Sequence, residues 1–348
     1  MKPARLVACT SAGALAVMLM AHSVSAAVVL SDNFNSLLSA ANYVPVSSDI
    51  TSSFPTYAYD YSSMGLPPAP NTGDASTLGV KLDANNGAPN AAEGITLNTL
   101  ASFSGDYTVQ FDAWMNVVGD FPAGGDGSTH YLTAGVGATI ATNNRPASSA
   151  ASAAASGAGA WTAVNGDNGN GQDYRLYKGT ASQATSTGQY SAPDPPLAGD
   201  QIRNGELNPY YHQWGGVEVD TLPVQGAAQI GGFGEQTGET YLGAFGMEWH
   251  TVQLVVDADG GTGGAPAVEW FIDGVSIGEL DGGITEAVSA VGSVALGYVD
   301  PTANASANSA LSFVVIDNLT VTVVPEPGSL ALAGLAVASL GVLRRRAR

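Results

Sequence analysis

The segment Tyr107–Val117, YTVQFDAWMNV, constrains the fold more than any other stretch. Tyr107, Val109, Phe111, Ala113 and Met115 fall on one side of an extended chain. Gln110, Asp112 and Asn116 fall on the other, and only Trp114 interrupts the alternation. A period of two over this length is that of a strand with one buried face. Runs of the same character recur as HTVQLVVDADGG, AVEWFIDGVSIGEL, SVALGYV and LSFVVIDNLTVTVV, separated by Gly, Asn, Asp and Pro. Asp273-Gly274 sits where a hairpin turn needs residues that accept positive φ. Helical periodicity is almost absent. A lone hairpin is unstable in water, so these strands must stack as layers over a shared core. The chain is therefore expected to be all-β, a two-sheet antiparallel β-sandwich.

Composition limits what such a sandwich can do. The chain has 348 residues and a net charge of −19. Between residues 28 and 324 the basic residues are Lys81, Arg145, Arg175, Lys178 and Arg203, against all but one of the chain's 30 Asp and Glu. A surface so acidic repels nucleic acid and anionic lipid, and suits cations or a neutral polysaccharide. The single cysteine, Cys9, lies in the first few residues, so the body has no disulfide, thiol nucleophile or thiolate metal site.

Both ends read as address labels. Lys2 and Arg5 precede a mostly apolar stretch, Ser11 to Ala21, and VSAA offers small residues for cleavage after Ala26 or Ala27. Residues 1–27 thus have the make-up of a signal peptide, with a short signal helix expected. At the other end Pro325, Glu326 and Pro327 are followed by an uncharged run, Gly328 to Leu343, and then by Arg344, Arg345, Arg346 and Arg348. As a short hydrophobic helix the run would reach about 24 Å, somewhat less than the roughly 30 Å hydrocarbon core. The two prolines hold the junction extended. A proline-glutamate-proline motif, an apolar run and a terminal arginine cluster, in that order, resemble the PEP-CTERM sorting signal of exported proteins in Gram-negative bacteria. That resemblance implies recognition and processing by an exosortase at the inner membrane, and export to the cell envelope or beyond. The expected organisation is a signal peptide over 1–27, a sandwich domain over 28–324 and a sorting signal over 325–348.

The body carries a second resemblance. MEWHTVQLVVDADGG, AVEWFIDGVSIGELDGG, SVALGYVD and VVIDNLTVTVV are similar to segments of concanavalin A-like jelly rolls, laminin G-like domains in particular. The resemblance implies that a closing strand containing IDN lies beside the first strand, here LSDNFNSL, bringing the chain ends together. With no complete catalytic motif in the body, the preferred expectation is a non-enzymatic protein that associates with polysaccharide. A divergent glycan hydrolase or lyase, or a purely structural surface protein, are the alternatives.

Residues 145–236 read as a loop-rich insertion in this domain. RPASSAASAAASGAGA, Arg145 to Ala160, offers no large side chain to bury and reads as a mobile loop, and Trp161 to Gln236 is rich in Gly, Asn, Pro and Tyr. Within it, NPYYHQWGG gathers Tyr210, Tyr211 and Trp214, whose rings would either stack on sugars or pin the loop to the sandwich. NGDNGNGQD places Asp167, Asn168, Asn170 and Asp173 on a glycine-bent loop, a set of hard oxygen ligands suited to Ca²⁺ or a solvated turn. No complete catalytic motif is present. VEVDTLPV gives Glu218 and Asp220 the spacing of glycosidase strand carboxylates, but Leu222 and Pro223 stand where the third is needed. GVSIG puts Ser276 in a Gly-x-Ser-x-Gly frame, but a hairpin turn precedes it and a strand carries it. His130, His212 and His250 are scattered, each alone in its stretch.

Overall fold

A computed structural model describes residues 26–84, 92–117, 130–147, 154–166, 173–182, 203–216, 240–283, 288–301 and 312–324. The expected signal helix and the apolar run of the sorting signal lie outside these residues. Among the described residues no helix is long and apolar enough to cross a membrane.

The described residues form fifteen strands in chain order: β1 (Ala27–Asp32), β2 (Tyr43–Ser47), β3 (Pro55–Asp60), β4 (Leu78–Asp83), β5 (Glu93–Thr99), β6 (Tyr107–Asn116), β7 (Tyr131–Ala138), β8 (Ala160–Asn165), β9 (Tyr174–Lys178), β10 (Ala181–Ser182), β11 (Trp249–Asp257), β12 (Ala267–Ile272), β13 (Val275–Asp281), β14 (Ser293–Asp300) and β15 (Phe313–Val323). They form two antiparallel sheets. The eight-stranded sheet runs β13-β12-β11-β6-β15-β4-β3, with β1 also on β15. The seven-stranded sheet runs β10-β9-β8-β7-β14-β5-β2.

The inner faces are the ones the alternation selects. Val109, Phe111, Ala113 and Met115 of β6 join Val252, Leu254 and Val256 of β11, Trp270 of β12 and Val314, Ile316, Leu319 and Val321 of β15 in one buried core. The opposing sheet contributes Ile95, Leu97, Leu132, Ala134, Val136, Leu296 and Tyr298. The turn between β12 and β13 has Asp273 at φ 51° and Gly274 at φ 78°, the positive pair that such a hairpin requires. β1 lies antiparallel on β15 with Ala27 opposite Val323, so the first and last described strands pair as the second resemblance implied.

Trp114 has a physical reason for breaking the alternation. It points away from the main core into a second cluster with Tyr61, Leu66, Phe313 and Val315, completed by Trp249. The segment that follows β3 lies over the outer side of the eight-stranded sheet and covers these groups. Trp249 belongs to this cover, its indole donating to the Pro67 carbonyl at 2.9 Å, while Trp270 is a core residue.

Within the described residues the insertion contains strands that the sequence did not suggest. Ala160–Asn165 and Tyr174–Lys178 are strands β8 and β9 of the seven-stranded sheet, paired in register from Ala160–Lys178 to Val164–Tyr174. They lack alternation because both faces are covered. Trp161, Ala163 and Tyr177 form a third apolar cluster with Tyr131 on the outer face, packed on by Ala155. Ala155 comes from the low-complexity segment read as a mobile loop. Its described parts instead lie on the sheet, held by paired hydrogen bonds between Arg145 and Ser156 at 2.8 and 2.9 Å.

Candidate functional site

Two outer faces and the insertion could each present a ligand surface. The outer face of the seven-stranded sheet is closed. The Asn98 amide donates to the Thr142 carbonyl at 2.8 Å, the Asn144 backbone N–H donates to the Thr96 hydroxyl at 3.1 Å, and Arg145 donates to the Ala92 carbonyl at 2.8 Å. Arg175 reaches the Ala147 carbonyl at 3.3 Å and lies over the Tyr131 ring, 4.6 Å from its centroid. Gly135 stands opposite Trp161 in the ladder, and a Cβ there would sit 2.6 Å from the Trp161 Cβ. Only glycine lets the indole lie across this strand under the covering segment.

The rings named from the insertion serve its anchoring. Tyr211 is wholly buried and stacks on Tyr174, with centroids 4.0 Å apart and planes at 8°. Trp214 is also buried, and its indole N–H donates to the Tyr174 hydroxyl, which in turn donates to the Gly243 carbonyl. Tyr210 is half-buried and donates its hydroxyl to the Ser276 carbonyl on β13. Of the two roles open to these rings, sugar stacking and pinning, the second fits their surroundings, since the faces of Tyr211 and Trp214 are packed on protein.

The polar candidates are also placed. Asp167, Asn168 and Asn170 lie outside the described residues, as do Glu218 and Asp220. Asp173 is buried and accepts from the Gly205 backbone at 3.1 Å, inside the anchor of the insertion. Pro325, Glu326, Pro327, Arg344, Arg345 and Arg346 are likewise outside. Ser276 donates to Glu269 at 2.6 Å. The histidines do not converge. His130 stacks on Tyr298 with Asp300 3.7 Å away, His212 meets the Glu206 carbonyl, and His250 pairs with Asp273 at 2.7 Å. Among the described residues the one group of three close enough to share an ion is Asp106, Asp257 and Asp259. Two of its side chains are already engaged with the β11–β12 turn: Asp106 accepts from the Ala258 N–H and Asp257 from the Asp259 N–H.

What remains open is the other half of the outer face of the eight-stranded sheet. One ladder row crosses five strands as Ser276, Phe271, Gln253, Gln110 and Thr320, and ends on Ser31 of β1. The next row runs Glu279, Glu269, Val255, Thr108 and Thr322. All but Glu279 and Ser31, which are exposed, are half-buried. A shallow cleft between the rows and the β11–β12 turn is lined by Val255, Asp257, Gly260, Ala267, Glu269 and Glu279. Burial raises the Glu279 carboxyl above its ordinary range, reinforced by the charges of Glu269, Asp281 and Asp257. Among the described residues no side-chain hydrogen bond engages Gln110, Gln253, Thr108, Thr320 or Thr322. In the adjoining row Thr251 and Asp112 are bonded to each other at 2.9 Å and lie under the covering segment. The open face is thus a flat grid of neutral amides and hydroxyls around one aromatic ring, with carboxylates on its β13 side. Gln110 and Gln253 sit at the polar phase of strands already evident in the sequence, and that phase was the available signal.

Fold and faces together define a two-sheet, all-β sandwich of the jelly-roll kind. The family model described as the PEP-CTERM protein-sorting motif matches residues 323–346, so the chain carries that motif and is marked for export. No curated protein matches the chain. Solved structures similar to it include a Bacillus subtilis protein of unknown function with a galectin-like fold, at 10% identity over 86% of this chain and 98% of that one, with a TM-score of 0.41. Cellulose induced protein Cip1 aligns at 10% identity over 84% and 96%, TM-score 0.42. A PL-14 alginate lyase from Aplysia kurodai aligns at 10% identity over 86% and 100%, TM-score 0.36.

Proposed function

We propose that this is an exported, non-enzymatic protein of the cell envelope or extracellular matrix, whose sandwich associates with polysaccharide through the open face of β12, β11, β6 and β15. The observation that supports this reading is the grid of Gln253, Gln110 and Thr320, which leaves side-chain donors and acceptors without protein hydrogen bonds beside the half-buried ring of Phe271. Sugars meet such surfaces through hydroxyl hydrogen bonds to amides and through their apolar faces on rings. The acidic surface favours a neutral polymer, since a polyuronate would be repelled. The signal peptide over 1–27 brings the chain across the inner membrane. The apolar run Gly328–Leu343 holds it there until an exosortase processes the Pro325-Glu326-Pro327 tag.

Affinity electrophoresis in gels cast with neutral polysaccharides tests the binding. The protein should be retarded, and Phe271→Ala with Gln253→Ala should abolish the retardation. Migration unchanged in every polymer would overturn the reading.

A cleavage reading has one observation in its favour, the direct opposition of Glu269 and Glu279 across β12 and β13. Release of reducing ends that disappears in Glu279→Gln would establish it in place of simple binding.

A further inference from the structure

The strand pairing gathers exposed apolar side chains at the end of the sandwich from which the sorting tag leaves. Tyr107 is the hub of this end. It lies opposite Val323 and Val256, its hydroxyl donates to the Ala290 carbonyl at 3.0 Å, and its ring meets Phe103 at 5.9 Å. Around it stand Val28 (60% exposed), Val291 (60%), Leu100 (54%) and Val324 (46%). Val28 is next to Ala27, which pairs with Val323, and Val324 donates its N–H to the Asp106 carbonyl. Val291 precedes Gly292, which is bridged to Phe103, and Leu100 follows the Thr99–Tyr43 pair. Val29 and Ile140, the latter just past the Ala138–Ser293 pair, extend the same end and are also exposed. The core gains nothing from these positions, and polar residues would fit them equally well.

The sequence beyond Val324 says what this end faces. Only Pro325, Glu326 and Pro327 separate Val324 from the uncharged run Gly328–Leu343. Three fully extended residues reach about 10 Å. While that run is held in a bilayer, Val324 and its apolar neighbours stay at the depth of the headgroups.

We infer that the tag-bearing end of the sandwich docks end-on against the membrane surface, with Val28, Leu100, Val291 and Val324 entering the headgroup region. This rests on the tag serving as a membrane anchor before processing. Asp106, Asp257 and Asp259 stand at the same end, so the surface it fits is zwitterionic and not anionic. Docking of this kind would hold the chain upright, presenting the tag junction to a membrane-bound processing enzyme.

The test uses the full chain with Cys9→Ser in vesicles of phosphatidylethanolamine and phosphatidylcholine. Single cysteines replace Leu100 or Val291 at the tag end and Leu207 or Leu242 at the opposite end, each carrying an environment-sensitive dye. Flotation first reports whether the chain is anchored. Blue-shifted emission, quenched by lipid-borne spin labels, is expected for Leu100→Cys and Val291→Cys, with water-like emission for Leu207→Cys and Leu242→Cys. If the chain floats with the vesicles and all four dyes report water, the docking inference fails while the anchor reading stands. If the chain does not float, both fall.

Discussion

Asp112 on β6 and Asp317 on β15 face each other directly across the central strand pair of the eight-stranded sheet, and neither reaches solvent. Two carboxyls so placed cannot both carry charge cheaply. Asp112 accepts from the Asn71 side chain at 2.6 Å, the Asn71 backbone at 3.0 Å, Thr251 at 2.9 Å and Asn318 at 2.9 Å. Asp317 accepts from Tyr61 at 3.0 Å and from the Asn318 N–H at 2.7 Å. Burial, outweighing these bonds and assisted by the Asp112 charge, pushes the Asp317 carboxyl up to about 7.

A pH dependence follows. The unfolded chain releases this proton near the ordinary aspartate value of 3.8, whereas the folded chain keeps it up to about 7. Between those values the native state binds more protons, so the contribution of Asp317 to stability is greatest in acid. It is lost as pH rises from about 4 to about 7, with a slope of at most about 1.4 kcal/mol per pH unit. Asp317→Asn cannot ionise and should remove that slope. Urea unfolding of both proteins at pH 5 and pH 7.5 measures it: the difference in stability should move in favour of the variant at the higher pH. Parallel behaviour at the two values would contradict a protonated Asp317.

The insertion supplies the next expectation. The Trp214 indole, the Tyr174 hydroxyl and the Gly243 carbonyl form a buried hydrogen-bonded chain, and Tyr211 stacks on the same Tyr174 ring. Trp214→Ala should cost about 3–5 kcal/mol, the range for truncating a buried aromatic. Tyr174→Phe keeps the packing but strands a buried donor and acceptor, at about 1–3 kcal/mol. Thermal melts give both numbers. Limited proteolysis should show early cutting within residues 203–216 in the Trp214 variant, while retardation by polysaccharide at a permissive temperature stays as in the parent.

The β12–β13 hairpin is fixed by one side chain doing two jobs. Asp273 adopts positive φ at the turn and also reaches back to β11, accepting from the Thr251 N–H at 2.8 Å and pairing with His250 at 2.7 Å. Burial works to raise its carboxyl, but the His250 hydrogen bond and charge outweigh that and lower it. A depressed native value means that this stabilisation is present above the ordinary aspartate range and is lost as pH falls through the lowered value. Asp273→Gly keeps the turn and loses the bonds, so it should cost about 1–2 kcal/mol. Asp273→Ala loses both and should cost more. Equal melting temperatures for the two variants would show that the turn conformation carries no weight.

How far the fold was legible depended on whether a strand has one covered face or two. β6, β11, β12 and β15 alternate because only their inner sides meet the main core, and they could be read directly. The meeting of Ala27 with Val323 also followed from the closing strand. β8 and β9 were invisible, since Trp161, Ala163 and Tyr177 are buried on the outside as thoroughly as Val164 and Leu176 are inside. Their cover was misread for a related reason: an Ala/Ser/Gly segment shows no periodicity, yet small side chains suit a strand-hugging strap over aromatic rings. Tyr211 and Trp214 were recognisable as functional or structural anchors, but only the stack on Tyr174 decides between the two. Gln110 and Gln253 are readable as polar-phase residues of their strands, but only the ladder register places them side by side.

The strap gives the last expectation. Where Asn144 and Trp161 come together on the outer side of the seven-stranded sheet, Gly135 is the position that leaves no room for a side chain. A Cβ at that position would stand 2.6 Å from the Trp161 Cβ, 2.9 Å from the Ala160 carbonyl oxygen and 3.2 Å from the Asn144 amide. The first two atoms belong to the neighbouring strand and cannot swing aside, so β8 or the strap must move. Gly135→Ala should therefore cost about 1–3 kcal/mol, as overpacking does. The displacement should also reach Trp161, whose indole N–H donates to the Gly179 carbonyl at 2.7 Å and is shut off from water in the parent. Acrylamide should quench tryptophan emission more strongly in the variant. Gly73→Ala is the control, because a Cβ there meets nothing within 4 Å, and it should match the parent in both melting and quenching. If Gly135→Ala also matches the parent, the strap does not press on the sheet as the ladder register implies.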